Sequence, residues 1–131
     1  MTRLLQPVLD TADVGRSAAF YLAWLGDGWA CRGGDPAPDA DWAVLQGPDG
    51  ARLALQLADP FDAATWPRPG VPQQAHLDFL LDSPAALEAT RARLAGLDAP
   101  LLRDNGADPD EPLYVFADPD GHPFCVLAVG A

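Results

Sequence analysis

The sequence predicts an α+β fold of two βαβββ modules, their curved mixed sheets arranged around a cavity. Three observations predict it. The hydrophobic pattern runs strand, helix, three strands, and repeats in the same order after a Pro-rich stretch. A "PDG" turn stands at matching places in the two halves, its Pro 42 positions after Gln6 and 43 after His76, each time just before an apolar strand. The helical segments "DVGRSAAFYLAWLG" and "DSPAALEATRARLAG" also fall at matching places.

In the first module, residues 1–58, "LLQPVL" (4–9) reads as a strand with an irregular or edge start, because Pro7 has no N–H for a sheet ladder. Residues 13–26 read as a helix. Asp13 caps its start, Val14, Ala18, Tyr21 and Leu25 recur at helical spacing, and Gly26 ends it. "GWACR" (28–32) and "WAVLQ" (42–46) read as strands around the loop "GGDPAPDAD". "GPDG" (47–50) is a turn, and "ARLALQLA" (51–58) is a strand. Residues 59–74, with four prolines, read as an extended linker.

The second module, residues 75–131, repeats the order. "AHLDFLL" (75–81) is a strand. Residues 82–97 are a helix with Ser83 as N-cap, Pro84 in the first turn and Gly96 near the end. "PLLR" (100–103) and "PLYVFA" (112–117) are strands, and "FADPDGHPFCVLAVG" (116–130) supplies a turn and a last strand. In such a module the helix covers one sheet face. The other face is left concave, to be closed by the second half or by another chain, and a cavity there is a natural ligand site.

Composition narrows the partners. The net charge is −11, carried mostly by Asp, and all eight cationic residues are Arg. Such a chain repels nucleic acid and anionic membrane, so neither is expected as a partner. Cys31 and Cys125 are too few for a disulfide framework, and no stretch is long enough to span a bilayer or has the apolar run of a signal peptide. A cytoplasmic location is the expectation.

"LLQPVLDTADVGRSAAFYLAWLG", "AHLDFLLD" and "FADPDGHPFCVL" together resemble the vicinal oxygen chelate superfamily, which includes glyoxalase I, bleomycin-resistance proteins and extradiol dioxygenases. The most specific parts are the helix from Arg16 to Gly26 and the turn from Asp118 to Gly121. The resemblance implies paired βαβββ modules. It also implies metal ligands on the first and last strands of each module, a His, Glu, His, Glu set in glyoxalase I. Carried onto this chain, those places fall on Gln6, Ala54, His76 and Cys125, with Gln56 replacing Ala54 if the strand is slipped. Only His76 keeps the ligand type. No cofactor is therefore expected, and a divalent metal is the less favoured alternative.

The residues allow other readings. Cys125 packs or lines the pocket, acts as a thiol activated by His76, or binds a soft metal. His76 is a structural strand residue or a pocket residue acting as acid or base. Asp118 and Asp120 shape their turn by bonding backbone. His122 is expected to be exposed. The four Trp are expected in the core, except Trp66, whose place in the linker suits a lid or an interface. The expected function is binding of a small organic molecule in the sheet cavity without an essential metal. The alternatives are a lyase, isomerase or dioxygenase-like enzyme using His76 and Cys125, and a structural dimer with a vestigial cavity. Exposed apolar surface points to a homodimer.

Overall fold

The computed structural model describes residues 1–128 of the 131-residue chain. It divides into two compact units, Met1–Phe61 and Asp62 onward. Each has a four-stranded mixed sheet and one α-helix, with the same connectivity.

In the first unit the elements are β1 (Val8–Thr11), α1 (Val14–Leu25), β2 (Ala30–Cys31), β3 (Trp42–Gln46) and β4 (Arg52–Leu57). The sheet order is β1-β4-β3-β2, with β1 parallel to β4 and the other pairs antiparallel. Helix α1 starts where Asp13 accepts a hydrogen bond from the Arg16 N–H. It ends at Gly26, whose φ of 75° suits a residue without Cβ. Its buried Val14, Ala18, Tyr21 and Trp24 form a stripe at helical spacing. A hydrogen bond of 2.9 Å between the buried Thr11 and Ser17 hydroxyls fixes the side on which α1 lies. Thr11 pairs with Leu57, so the Leu53, Leu55 and Leu57 face of β4 looks toward the helix, and Arg52, Ala54 and Gln56 look away.

The second unit repeats this with β5 (Leu77–Leu81), α2 (Pro84–Gly96), β6 (Leu101–Asn105), β7 (Leu113–Ala117) and β8 (Pro123–Ala128), in sheet order β5-β8-β7-β6. Ser83 caps α2 by accepting from the Ala86 N–H, and Pro84 takes the first helical position. The Tyr114 hydroxyl donates to Glu88 at 2.5 Å and accepts from Arg91 at 3.1 Å, with the Arg91 guanidinium over its ring. Tyr114 thus marks the helix-facing side, shared with Phe116, Phe124 and Val126 by strand alternation. Val115 and Cys125 point to the opposite, open side.

The fold class is the expected one, and several local readings need correction. Strand β1 begins at Val8, after Pro7, rather than at Leu4. The strand expected over 28–32 shortens to two residues. The strand expected from Ala75 begins at Leu77, so His76 precedes it; Gln74, at φ 62°, turns the backbone out of extended geometry. The strand expected over 100–103 runs to Asn105, with a shifted register between Leu101 and Arg103. The end of the last predicted strand, from residue 129, lies outside the described residues. Trp42 is 44% exposed rather than core, because it pairs with Gln56 on the face turned away from α1. His122 is half-buried rather than exposed, because its N–H donates to Asp118 and its carbonyl accepts the Asp118 N–H, folding it into the turn.

Candidate functional site

The open face of the second sheet holds a pocket of about 360 Å³. It is lined by Trp66, Gln73, His76, Asp78, Arg103, Asn105, Glu111, Leu113, Val115, Cys125 and Leu127, all from the second unit. This size suits a small ligand, since such sites run from roughly 300 to 1,000 Å³.

Its floor is set by strand register. Asp78 pairs with Cys125, Cys125 with Val115, and Val115 with Arg103, so these four residues form one row across the sheet. Leu80, Leu127, Leu113 and Asn105 form the next row. The centre of each row is apolar, and Asp78, Arg103 and Asn105 stand at the ends.

One wall comes from the Pro-rich segment. Thr65 ties residues 65–71 into a loop: its backbone N–H donates to the Val71 carbonyl at 2.8 Å, and its Oγ1 accepts from the Val71 N–H at 2.9 Å. Ala63 and Ala64 lie against the Asp118–Gly121 turn, where a Cβ on Gly121 would stand 2.9 Å from the Ala63 Cβ. The turn is held by Asp118, whose carboxylate accepts from the Asp120 and His122 N–H groups. This anchored segment brings Trp66 to the pocket, where the Arg103 guanidinium lies 4.8 Å from the ring centroid.

His76 Nε2 is 3.3 Å from Asp78 Oδ1, and the two side chains are 47% and 61% exposed. Cys125, 8% exposed, sits beside Asp78 in the floor. Burial pushes its thiol pKa up to about 11, and the Asp78 and Glu111 carboxylates add to the rise. The thiol is therefore protonated at neutral pH, the opposite of an activated nucleophile.

Of the residues singled out from sequence, the pocket brings together His76, Cys125 and Trp66. Gln6, Ala54 and Gln56 belong to the first unit and are not among its lining residues. The Gln6 amide oxygen accepts from Arg52 Nε at 2.9 Å. Ala54 is fully buried and pairs with Val8, two residues after Gln6; Cys125 pairs with Asp78, two residues after His76. The repeat thus equates Ala54, and not Gln56, with Cys125. Sequence reasoning passed over Arg103, Glu111, Gln73 and Asn105 as site residues. Asp78 had a signal in strand alternation with His76.

Residues 6–127 match the family model of the glyoxalase-like domain. The chain belongs to the glyoxalase-like domain family. This places it in the vicinal oxygen chelate superfamily. No curated protein matches the sequence. Among solved structures, this glyoxalase-like chain is similar to a glyoxylase/bleomycin resistance protein/dioxygenase domain from Frankia sp. EAN1pec, at 22% identity and TM-score 0.70, covering 98% of this chain and 93% of that one. It is also similar to a mutant of the fosfomycin resistance protein FosX from Listeria monocytogenes, solved with Mn(II) and 1S,2S-dihydroxypropylphosphonic acid. There the identity is 16% and the TM-score 0.73, with 100% and 94% of the two chains covered. A possible glyoxalase from Bacillus cereus matches at 19% identity and TM-score 0.71, covering 97% and 99%. At these identities the likeness is one of fold.

The donors at the four superfamily ligand places are poor ones for a metal. Ala54 offers a methyl group, the Gln6 oxygen is engaged by Arg52, and Cys125 offers a thiol where glyoxalase I has a carboxylate. Among the described residues, no group of three or more His, Cys, Asp or Glu is placed to hold a metal ion. This donor set does not fit a glyoxalase-type metal.

Proposed function

We propose that this glyoxalase-like chain binds a small organic molecule, without an essential metal, in the pocket on the open face of its second sheet. The supporting observation is the pocket itself. It has an apolar floor of Cys125, Val115, Leu113 and Leu127, an aromatic wall at Trp66, and polar and charged groups around them, which gives a concave site able to take a small molecule that is itself partly polar. The protein works as a cytoplasmic homodimer; the exposure of Leu4, Leu5 and Leu80 favours self-association.

One observation favours a catalytic reading as the alternative. The Asp78 carboxylate stands beside the His76 ring at the pocket edge, as an orienting group stands beside a general base. A lyase or isomerase step would then use His76 to move a substrate proton, with Cys125 as a neutral wall.

Native mass spectrometry of freshly purified protein tests the proposal. A homodimer carrying a non-stoichiometric organic adduct and no metal is the expected result. Stoichiometric metal, lost in His76→Ala, would refute metal independence. Turnover of a bound compound that disappears in His76→Ala would replace the binding reading with the catalytic one.

A further inference from the structure

Opposite charges stand at the two edges of the sheet in the pocket. Asp78 stands on β5 at one edge and Arg103 on β6 at the other, in the same transverse row. Three interstrand steps separate them, about 14 Å between their Cα atoms. Cys125 and Val115 lie between them, and neither offers a charge at neutral pH.

Arg103 is equipped to receive an anion. The Trp66 indole covers one face of its guanidinium, which leaves the N–H groups at the rim of the plane available to an acceptor. Among the described residues no carboxylate is paired with Arg103. At the other end Asp78 has His76 beside one oxygen, and its side chain is 61% exposed. Glu111 precedes β7 on the same face as Val115 and adds a second carboxylate to the lining.

We infer that the ligand is dipolar: a zwitterion with an anionic group at Arg103, an amine or guanidine at Asp78, and a short apolar spacer over Cys125 and Val115. This rests on the pocket being the binding site, and it names the ligand's chemical class. A plain carboxylate would meet Arg103 but gain nothing from Asp78 and Glu111, whose like charge repels it. A plain amine would meet Asp78 but gain nothing from Arg103. Each missing charge forgoes one charge-assisted contact. A neutral molecule forgoes both.

The test is calorimetric titration, in the presence of a chelator, with ω-amino acids of increasing chain length. The matched carboxylates, amines and alcohols, each lacking one or both charges, serve as comparisons. The best ω-amino acid is expected to bind about tenfold or more tighter than each singly charged analogue of its own length. Arg103→Gln should abolish its advantage over the amine and keep its advantage over the carboxylate. Asp78→Asn should do the reverse. Both side chains are exposed, so both variants fold, which circular dichroism checks. Binding of the alcohol or of one singly charged analogue as tightly as the zwitterion would overturn the dipolar assignment and leave the pocket reading standing. So would a compound of another class that binds the wild type and is excluded by Val115→Trp, if no ω-amino acid binds. Zwitterion binding unchanged in Val115→Trp, Arg103→Gln and Asp78→Asn alike would overturn both.

Discussion

The two "PDG" turns provide a paired experiment in which one half of the molecule controls for the other. Gly50 and Gly121 occupy equivalent places, and both have positive φ, 77° and 84°. An added Cβ at Gly50 meets nothing within 4 Å, whereas at Gly121 it would stand 2.9 Å from the Ala63 Cβ and 3.4 Å from the Ala64 carbonyl oxygen. Gly50→Ala therefore costs only backbone strain, roughly 1 to 2 kcal/mol. Gly121→Ala costs the same strain plus overpacking against backbone and a short side chain that cannot rotate away, for a further 1 to 3 kcal/mol or so. Urea unfolding of both variants measures the difference. The Gly121 variant should also weaken ligand binding, because displacing Ala63 and Ala64 moves the segment that carries Trp66. Equal destabilisation by the two substitutions, with binding intact, would show that the Pro-rich segment does not pack on the second turn.

Other consequences are as direct. At pH 8 the Cys125 thiolate is scarce, so iodoacetamide should modify it about a hundredfold more slowly than a free thiol; a rate at or above the free-thiol rate would restore the reactive-cysteine reading. The same raised pKa favours the protonated thiol in the folded state. Its contribution to stability is intact below the unfolded value near 9 and is lost as pH rises toward about 11, by some 2 to 3 kcal/mol at most. Cys125→Ala should flatten that stretch of the unfolding-versus-pH curve. Tyr114→Phe removes both the bond to Glu88 and the one from Arg91, and should cost about 1 to 2 kcal/mol in urea unfolding, with pocket binding unchanged.

Both helices were legible in the sequence because their signals are local. Asp13 and Gly26 bracket one, Ser83 and Pro84 start the other, and the apolar stripe of α1 lies within a single element. Strand β3 was legible for the same reason. Strand β5 starts two residues later than its hydrophobic pattern, since nothing in "QQAHL" announces the positive φ at Gln74. Strand β1 starts later than its apolar run because Leu4 and Leu5 are apolar yet exposed, and hydropathy alone does not separate buried from exposed leucines. For the site, the spacing of the repeat found His76 and Cys125, and the Pro-rich context singled out Trp66. Arg103 was out of reach. Its place in the pocket depends on β6 pairing with β7 through a shifted register, a relation between residues 103 and 115 that no local pattern encodes. Glu111 joins for a similar reason, as its face is set by the strand that begins two residues later.

An organic ligand held in the pocket on the second sheet, without an essential metal, is what the proposed function requires. Thermal denaturation against a library of small organic acids, amines and amino acids tests it most directly, run once with a chelator and once with manganese or zinc. Val115→Trp, which fills the floor, is measured beside the wild type. The expected result is a set of compounds that raise the melting temperature of the wild type equally in both conditions and leave the Val115→Trp protein unmoved. Stabilisation that requires the metal, or that survives Val115→Trp, would contradict it.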